Sequence, residues 1–231
     1  MRAAFDRRRD GGGAALVVYL TQGDPTPARS VDLVVAAADA GADVIELGVP
    51  FSDPNADGPV IQAAMQRALA AGGGLASALD TVRAVRARGC AVPIVLFGYY
   101  NPLVVFGVDA FADAAASAGV DACLVVDLPV DELDELRVPL SARGIGVVPL
   151  IAPTSGDERI ARARAVDPPF VYYISMTGIT GADFGRAGDV GGRVARVREL
   201  TGAPVAVGFG VKTPADAARV AASADGVVVG S

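Results

Sequence analysis

Two carboxylates are the side chains of this sequence best placed for acid–base chemistry. Glu46 interrupts the apolar run 44–47, where a carboxylate is costly unless it is hydrogen-bonded or stays protonated. Burial of this kind raises a carboxyl pKa toward the range of a general acid or base. Asp57 follows in a proline-punctuated loop that can fold back over the end of the same strand. A structural carboxylate at Glu46 and a turn residue or helix cap at Asp57 are the competing interpretations.

Glycine-rich segments in the last third of the chain indicate an anion site. The segments 177–181, 208–210 and 230–231 each offer bare backbone N–H groups to a phosphate, and Ser231 adds a hydroxyl. Plain turn formation could explain any one of them. Their joint occurrence after late strands favours a phosphate site.

Composition excludes several classes of chemistry. Histidine is absent, which removes Ser-His-Asp triads, His-ligated zinc and imidazole bases. The net charge of −6 argues against a nucleic-acid surface, and no apolar run reaches the roughly 20 residues that span a bilayer. Cys90 and Cys123 match neither a metal motif nor a disulfide framework, so we expect a cytoplasmic protein without a metal. Lys212 is the only lysine and therefore the only Schiff-base candidate.

Short β-branched segments alternate with alanine-rich helical stretches along the whole chain. Their continuous apolar character is typical of parallel strands buried on both faces. Ser30 is expected to cap the helix 31–40. In the stretch 131–143, Pro139 should break or restart the helix. The predicted strands are 16–20, 44–47, 92–97, 122–126, 146–151, 170–174, 204–207 and 226–229.

This alternation predicts one parallel α/β domain over residues 1–231. A closed (βα)8 barrel and an open doubly wound sheet both fit the pattern. The barrel is favoured because eight strands fit within one domain's length, no G-x-G-x-x-G follows the first strand, and no break in composition divides the chain. In a barrel, the Gly-, Pro-, Asp- and Asn-rich segments after the strands would meet at the carboxyl ends, where this fold places its active sites.

The segment 46–62, ELGVPFSDPNADGPVIQ, resembles the signature of the tryptophan synthase alpha chain family. The similarity continues in order through shorter segments, so it spans nearly the whole chain. The resemblance implies a (βα)8 TIM barrel and a lyase of tryptophan biosynthesis, which cleaves indole-3-glycerol phosphate by a retro-aldol reaction to indole and glyceraldehyde 3-phosphate. The shorter segments that also resemble the family are 23–25, 99–102, 126–129, 175–181 and 207–210.

The resemblance also assigns roles to individual residues. Glu46 corresponds to the acid/base glutamate and Asp57 to the second catalytic carboxylate. The other implied site residues are Tyr172 near the substrate, Phe97, Leu124 and Phe209 around the indole ring, and Gly181, Gly210, Gly230 and Ser231 at the phosphate.

A partner chain is implied as well. No cofactor of the chain's own is expected, whereas pyridoxal phosphate is expected on a tryptophan synthase beta chain within an alpha2beta2 tetramer. The loop 53–57 and the neighbourhoods of Asn101 and Pro129 are the expected contacts with that partner.

Family members continue beyond the eighth strand with a closing helix, which this sequence lacks. We therefore expect an exposed apolar flank, a phosphate site without a helix N-terminus, and lower stability than in an extended form. Two other functions remain open at this point. One is a sugar-phosphate isomerase or a Schiff-base aldolase using Lys212, and the other is a non-catalytic binding partner of a beta chain.

Overall fold

The computed structural model describes residues 1–174, 190–208 and 210–230. Strands and helices alternate along these residues, as the sequence pattern predicts. The strands are β1 (Ala15–Thr21), β2 (Val44–Gly48), β3 (Ile94–Gly98), β4 (Ala122–Val125), β5 (Gly146–Val147), β6 (Leu150–Ile151), β7 (Val171–Ile174), β8 (Val205–Gly208) and β9 (Gly226–Val229). The helices are α1 (Arg2–Asp10), α2 (Pro27–Asp39), α3 (Pro59–Ala70), α4 (Leu75–Ala87), α5 (Tyr100–Phe106), α6 (Val108–Ala118), α7 (Asp134–Ser141), α8 (Asp157–Arg162), α9 (Val190–Thr201) and α10 (Pro214–Ala221).

The sheet closes on itself as a barrel. Its strands pair in parallel in the order β5-β4-β3-β2-β1-β9-β8-β7-β6. The two ends of this order, β5 and β6, are halves of one segment, 146–151, which was predicted as a single strand. The strand assignment is interrupted at Val148-Pro149, where the proline has no N–H to donate to a neighbouring strand. The (βα)8 prediction is confirmed, and the open doubly wound alternative is wrong.

Helix α1 covers the amino ends of the strands and was not predicted. Its Phe5 is fully buried, and its ring lies 5.0 Å from that of Phe170. A Cβ at Gly226 would approach the Phe5 ring closely, so this glycine makes room for the aromatic side chain. In the described part of the chain, apolar side chains fill this end of the ring, which leaves the carboxyl ends for a polar site.

Two local predictions about helices are wrong. Helix α2 begins further upstream than expected, and its N-terminal cap is Thr26, whose hydroxyl accepts from the Arg29 N–H; Ser30 lies inside the helix. Helix α7 runs through Pro139. The proline removes a single backbone hydrogen bond there, and the helix ends two residues later. Among all the described helices, none is long and apolar enough to cross a membrane.

Candidate active site

Glu46 lies inside the barrel in strand β2. Side chains alternate along a strand, so Glu46 shares its inward face with Val44, which belongs to the core cluster within the ring. Only 1% of Glu46 is exposed, and its Oε1 has no hydrogen-bond partner among the described residues. Burial raises the pKa of Glu46 from 4.5 to about 8. A carboxyl in this setting carries a proton at neutral pH and can give it up.

Asp57 lies in the loop between β2 and α3, above the carboxyl end of the barrel. The Tyr99 hydroxyl donates to Asp57 Oδ2 at 2.6 Å. Burial raises the pKa of Asp57, and this hydrogen bond partly offsets the rise because it stabilises the ionised form. Asp57 is not the cap of α3, since Gly58 occupies that position.

Two tyrosines, Tyr19 and Tyr172, lie near both carboxylates. Burial raises the pKa of Tyr172 well above its ordinary value, and the nearby Glu46 and Asp57 carboxylates raise it further. The same two carboxylates add to the burial that raises the pKa of Tyr19. Since both carboxylates act on both phenols, the four side chains lie near one another. The structure therefore brings together three predicted site residues, Glu46, Asp57 and Tyr172.

Tyr19 was missed by the sequence reasoning. It lies opposite Glu46 in the β1–β2 register, and its hydroxyl lies where a Cβ of Gly48 would be. The Tyr172 hydroxyl likewise lies where a Cβ of Gly208 would be, at the end of the neighbouring strand β8. An inward tyrosine beside a strand that ends in glycine is the signal that could have revealed both residues, because only glycine leaves room for the ring.

Phe97 and Leu124 lie on the adjacent strands β3 and β4 and are register partners. Leu124 is fully buried in the cluster within the ring, and Phe97 packs against that cluster. The Phe97 ring meets that of Tyr19 edge-on, with centroids 5.3 Å apart. These side chains form an apolar wall that an aromatic ligand could contact.

The predicted phosphate residues are only partly described. Gly210 follows β8 and Gly230 follows β9, so the structure places both at the ends of paired strands. Gly210 has a φ of +75°, a conformation that favours glycine. The remaining predicted residues, Gly181, Phe209 and Ser231, lie outside the described residues.

The surface position of Lys212 argues against a Schiff-base aldolase. Lys212 is exposed in the loop before α10, and its backbone N–H donates to Asp216 at 3.1 Å. Within the described ranges, no three acidic or thiol side chains cluster as a metal site requires. The carboxylates in the barrel, rather than an amine, are the groups placed for chemistry.

Comparison with known proteins agrees with this geometry. A family model described as tryptophan synthase alpha chain matches residues 5–231. The chain belongs to this family. It is therefore a lyase subunit of tryptophan biosynthesis, whose reaction cleaves indole-3-glycerol phosphate. The family's alpha chains have no cofactor of their own and normally pair with a beta chain.

Curated relatives and solved structures cover most of the chain. The chain is 52% identical over 217 residues to the tryptophan synthase alpha chain of Geobacter sulfurreducens, covering 94% of this chain and 82% of the relative. A relative from Burkholderia mallei is 49% identical over 220 residues, with coverage of 95% and 81%. The tryptophan synthase structure from Mycobacterium tuberculosis superimposes with a TM-score of 0.90 at 38% identity, covering 99% of this chain and 87% of that one.

Proposed function

We propose that Glu46 is the acid/base of the cleavage reaction and that Asp57 stabilises the cationic ring. The observation that carries this proposal is the buried Glu46 carboxyl, which keeps its proton at neutral pH and has an unpartnered oxygen inside the barrel. A general acid is most effective when its pKa lies near the working pH.

One proton can serve both halves of the reaction. Glu46 gives its proton to the indole carbon that carries the glycerol chain, and the ring nitrogen becomes cationic. The Asp57 carboxylate beside the ring N–H stabilises this charge. The Glu46 carboxylate then takes the proton of the hydroxyl on the adjacent chain carbon. The carbon–carbon bond breaks, its electron pair returns to the ring, and the products are indole and an aldehyde.

The surrounding residues would orient the substrate. Phe97 and Leu124 offer an apolar wall to the indole ring, with Phe209 expected beside them, and Tyr172 brings a phenol close to both carboxylates. We assign the phosphate to the strand ends at Gly210 and Gly230, together with Gly181 and Ser231. Holding both ends of the substrate fixes the breaking bond next to Glu46, which is a large part of catalysis by positioning.

The test is release of indole from indole-3-glycerol phosphate. Glu46→Gln should lower kcat by roughly 10²–10⁴-fold, as removal of a general acid/base does. Glu132→Gln is the matched control, because Glu132 is an exposed carboxylate on a 3-10 turn outside the barrel. Parental turnover by the Glu46 variant would refute the assignment.

We also propose that the chain docks a beta chain that carries the pyridoxal phosphate, in an alpha2beta2 tetramer in the cytoplasm. The supporting observation is an exposed apolar surface at the end of α5, formed by Val104, Val105 and Phe106. Val105 is 80% exposed, and such contiguous apolar surface is typical of interaction sites. The surface adjoins Asn101 in the same helix, and the loop 53–57 and Pro129 complete the proposed contact area.

A further inference from the structure

Tyr99 connects the end of strand β3 to the loop that carries Asp57. Its hydroxyl donates to Asp57 Oδ2 at 2.6 Å and accepts from the Ala56 N–H at 3.0 Å. The Tyr99 ring also packs on Phe51, with centroids 5.0 Å apart. These three contacts all reach the same loop, although Tyr99 is separated from Asp57 by 42 positions in the chain. Tyr99 itself is 5% exposed, so its ring is held by the barrel.

We propose that Tyr99 is a positioning residue for the cleavage reaction: its hydroxyl fixes Asp57 so that one carboxylate oxygen faces the indole N–H. The inference rests on the proposed role of Asp57. An aspartate on a loop can rotate about two side-chain bonds, and a hydrogen bond from a buried phenol removes that freedom. Because Oδ2 is taken by Tyr99, Oδ1 is the oxygen left for the substrate. Among the described residues, Oδ1 forms no hydrogen bond.

The same contact favours the ionised form of Asp57. Burial raises the pKa of Asp57, and the Tyr99 hydroxyl is the neighbour that lowers it. The other titratable groups near this region are the phenols of Tyr19 and Tyr172, the Glu46 carboxyl, and Asp127, whose charge raises the pKa of Tyr99. They do not lower the pKa of Asp57. Without the Tyr99 hydroxyl, burial would act unopposed, and a larger share of Asp57 would be protonated and unable to balance a cationic ring.

Tyr99→Phe tests the proposal, with Tyr100→Phe as the matched control. Tyr100 is the next residue, but its hydroxyl donates to Glu135 at 2.9 Å on the outer surface. In indole-release assays of the chain alone, the Tyr99 variant should lose roughly 10- to 100-fold in kcat, as expected for a hydrogen bond to a charged group, with a smaller change in KM. The acid limb of its kcat–pH profile should move to higher pH, because loss of the hydroxyl raises the pKa of Asp57 further. The control should match the parent in both respects.

A double variant separates this inference from the proposed function. If Tyr99 acts through Asp57, Asp57→Asn combined with Tyr99→Phe should be no slower than Asp57→Asn alone. Parental activity of Asp57→Asn would overturn the proposed role of Asp57 itself. A slow Asp57→Asn together with a Tyr99→Phe that retains the parental acid limb would overturn only the positioning role.

A measurement independent of turnover completes the test. Titration of the Asp57 carboxyl by carbon NMR, assigned through Asp57→Asn, should show a higher pKa in Tyr99→Phe than in the parent and in Tyr100→Phe. An unchanged pKa would show that the hydroxyl does not hold the ionised carboxylate, and the inference would fail.

Discussion

Replacement of Glu46 by glutamine should stabilise the folded chain at neutral pH while it removes the acid–base group. Burial raises the pKa of Glu46 from 4.5 to about 8, so the folded chain binds this proton more tightly than the unfolded chain does. The stability contributed by the carboxyl therefore falls as the pH rises from about 4.5 to about 8 and is constant above that. Glutamine has nearly the same shape and stays neutral, so the stability of the variant does not fall over this pH range.

The magnitude follows from the two pKa values. A pH of 7 lies about 2.5 units above the pKa of this carboxyl in the unfolded chain, so the unfolded carboxyl is ionised. In the folded chain the same carboxyl is still largely protonated at this pH. At about 1.4 kcal/mol per unit, the cost to the parent is about 3 kcal/mol at pH 7 and about 1 kcal/mol at pH 5. Among the described residues Glu46 Oε1 has no partner, and an amide of the same shape would meet the same surroundings, so the burial costs of the neutral acid and the amide largely cancel.

The assay is denaturant unfolding of the parent and of Glu46→Gln at pH 5, 6, 7 and 8. The free-energy difference should grow by about 2 kcal/mol between pH 5 and pH 7 in favour of the variant. Glu132→Gln, an exposed substitution of the same kind, should show no comparable trend. A difference that does not change with pH, or a variant less stable than the parent at pH 7, would contradict the buried, protonated state of Glu46.

Three further predictions follow from the structure. Indole release by the parent should fall as the pH rises above about 8, because Glu46 then loses the proton that it donates; a profile still rising at pH 9 would contradict this. Gly48→Ala should cost about 1–3 kcal/mol in denaturant unfolding, because the new methyl collides with the Tyr19 ring; an unchanged unfolding midpoint would show that the ring moves freely. Val105→Asp should weaken binding to a beta chain at least tenfold by calorimetry without changing indole release by the chain alone, whereas Leu33→Asp, on α2, should bind normally; equal affinities would exclude the α5 surface.

The strand positions and the orientation of Glu46 were readable from the sequence. Apolar segments such as 44–47 are short and continuous, which is the local pattern of a buried parallel strand. The two-residue period of a strand then places Glu46 on the side of Val44, and the structure confirms that this side is the interior. The loop after β2 was equally visible, since its closely spaced prolines, glycine and aspartates favour turns over a continuous helix or strand.

The tertiary structure decided how these pieces meet. Closure of the ring depends on the segment 146–151, whose first half pairs with β4 and whose second half pairs with β7. The hydrogen bond between Tyr99 and Asp57 likewise joins residues far apart in the chain, and no local sequence pattern predicts it. Local sequence carries propensity and periodicity, but pairing between distant segments is selected only when the whole chain packs. For that reason the acid inside the barrel could be predicted, whereas the phenol that holds its companion carboxylate could not.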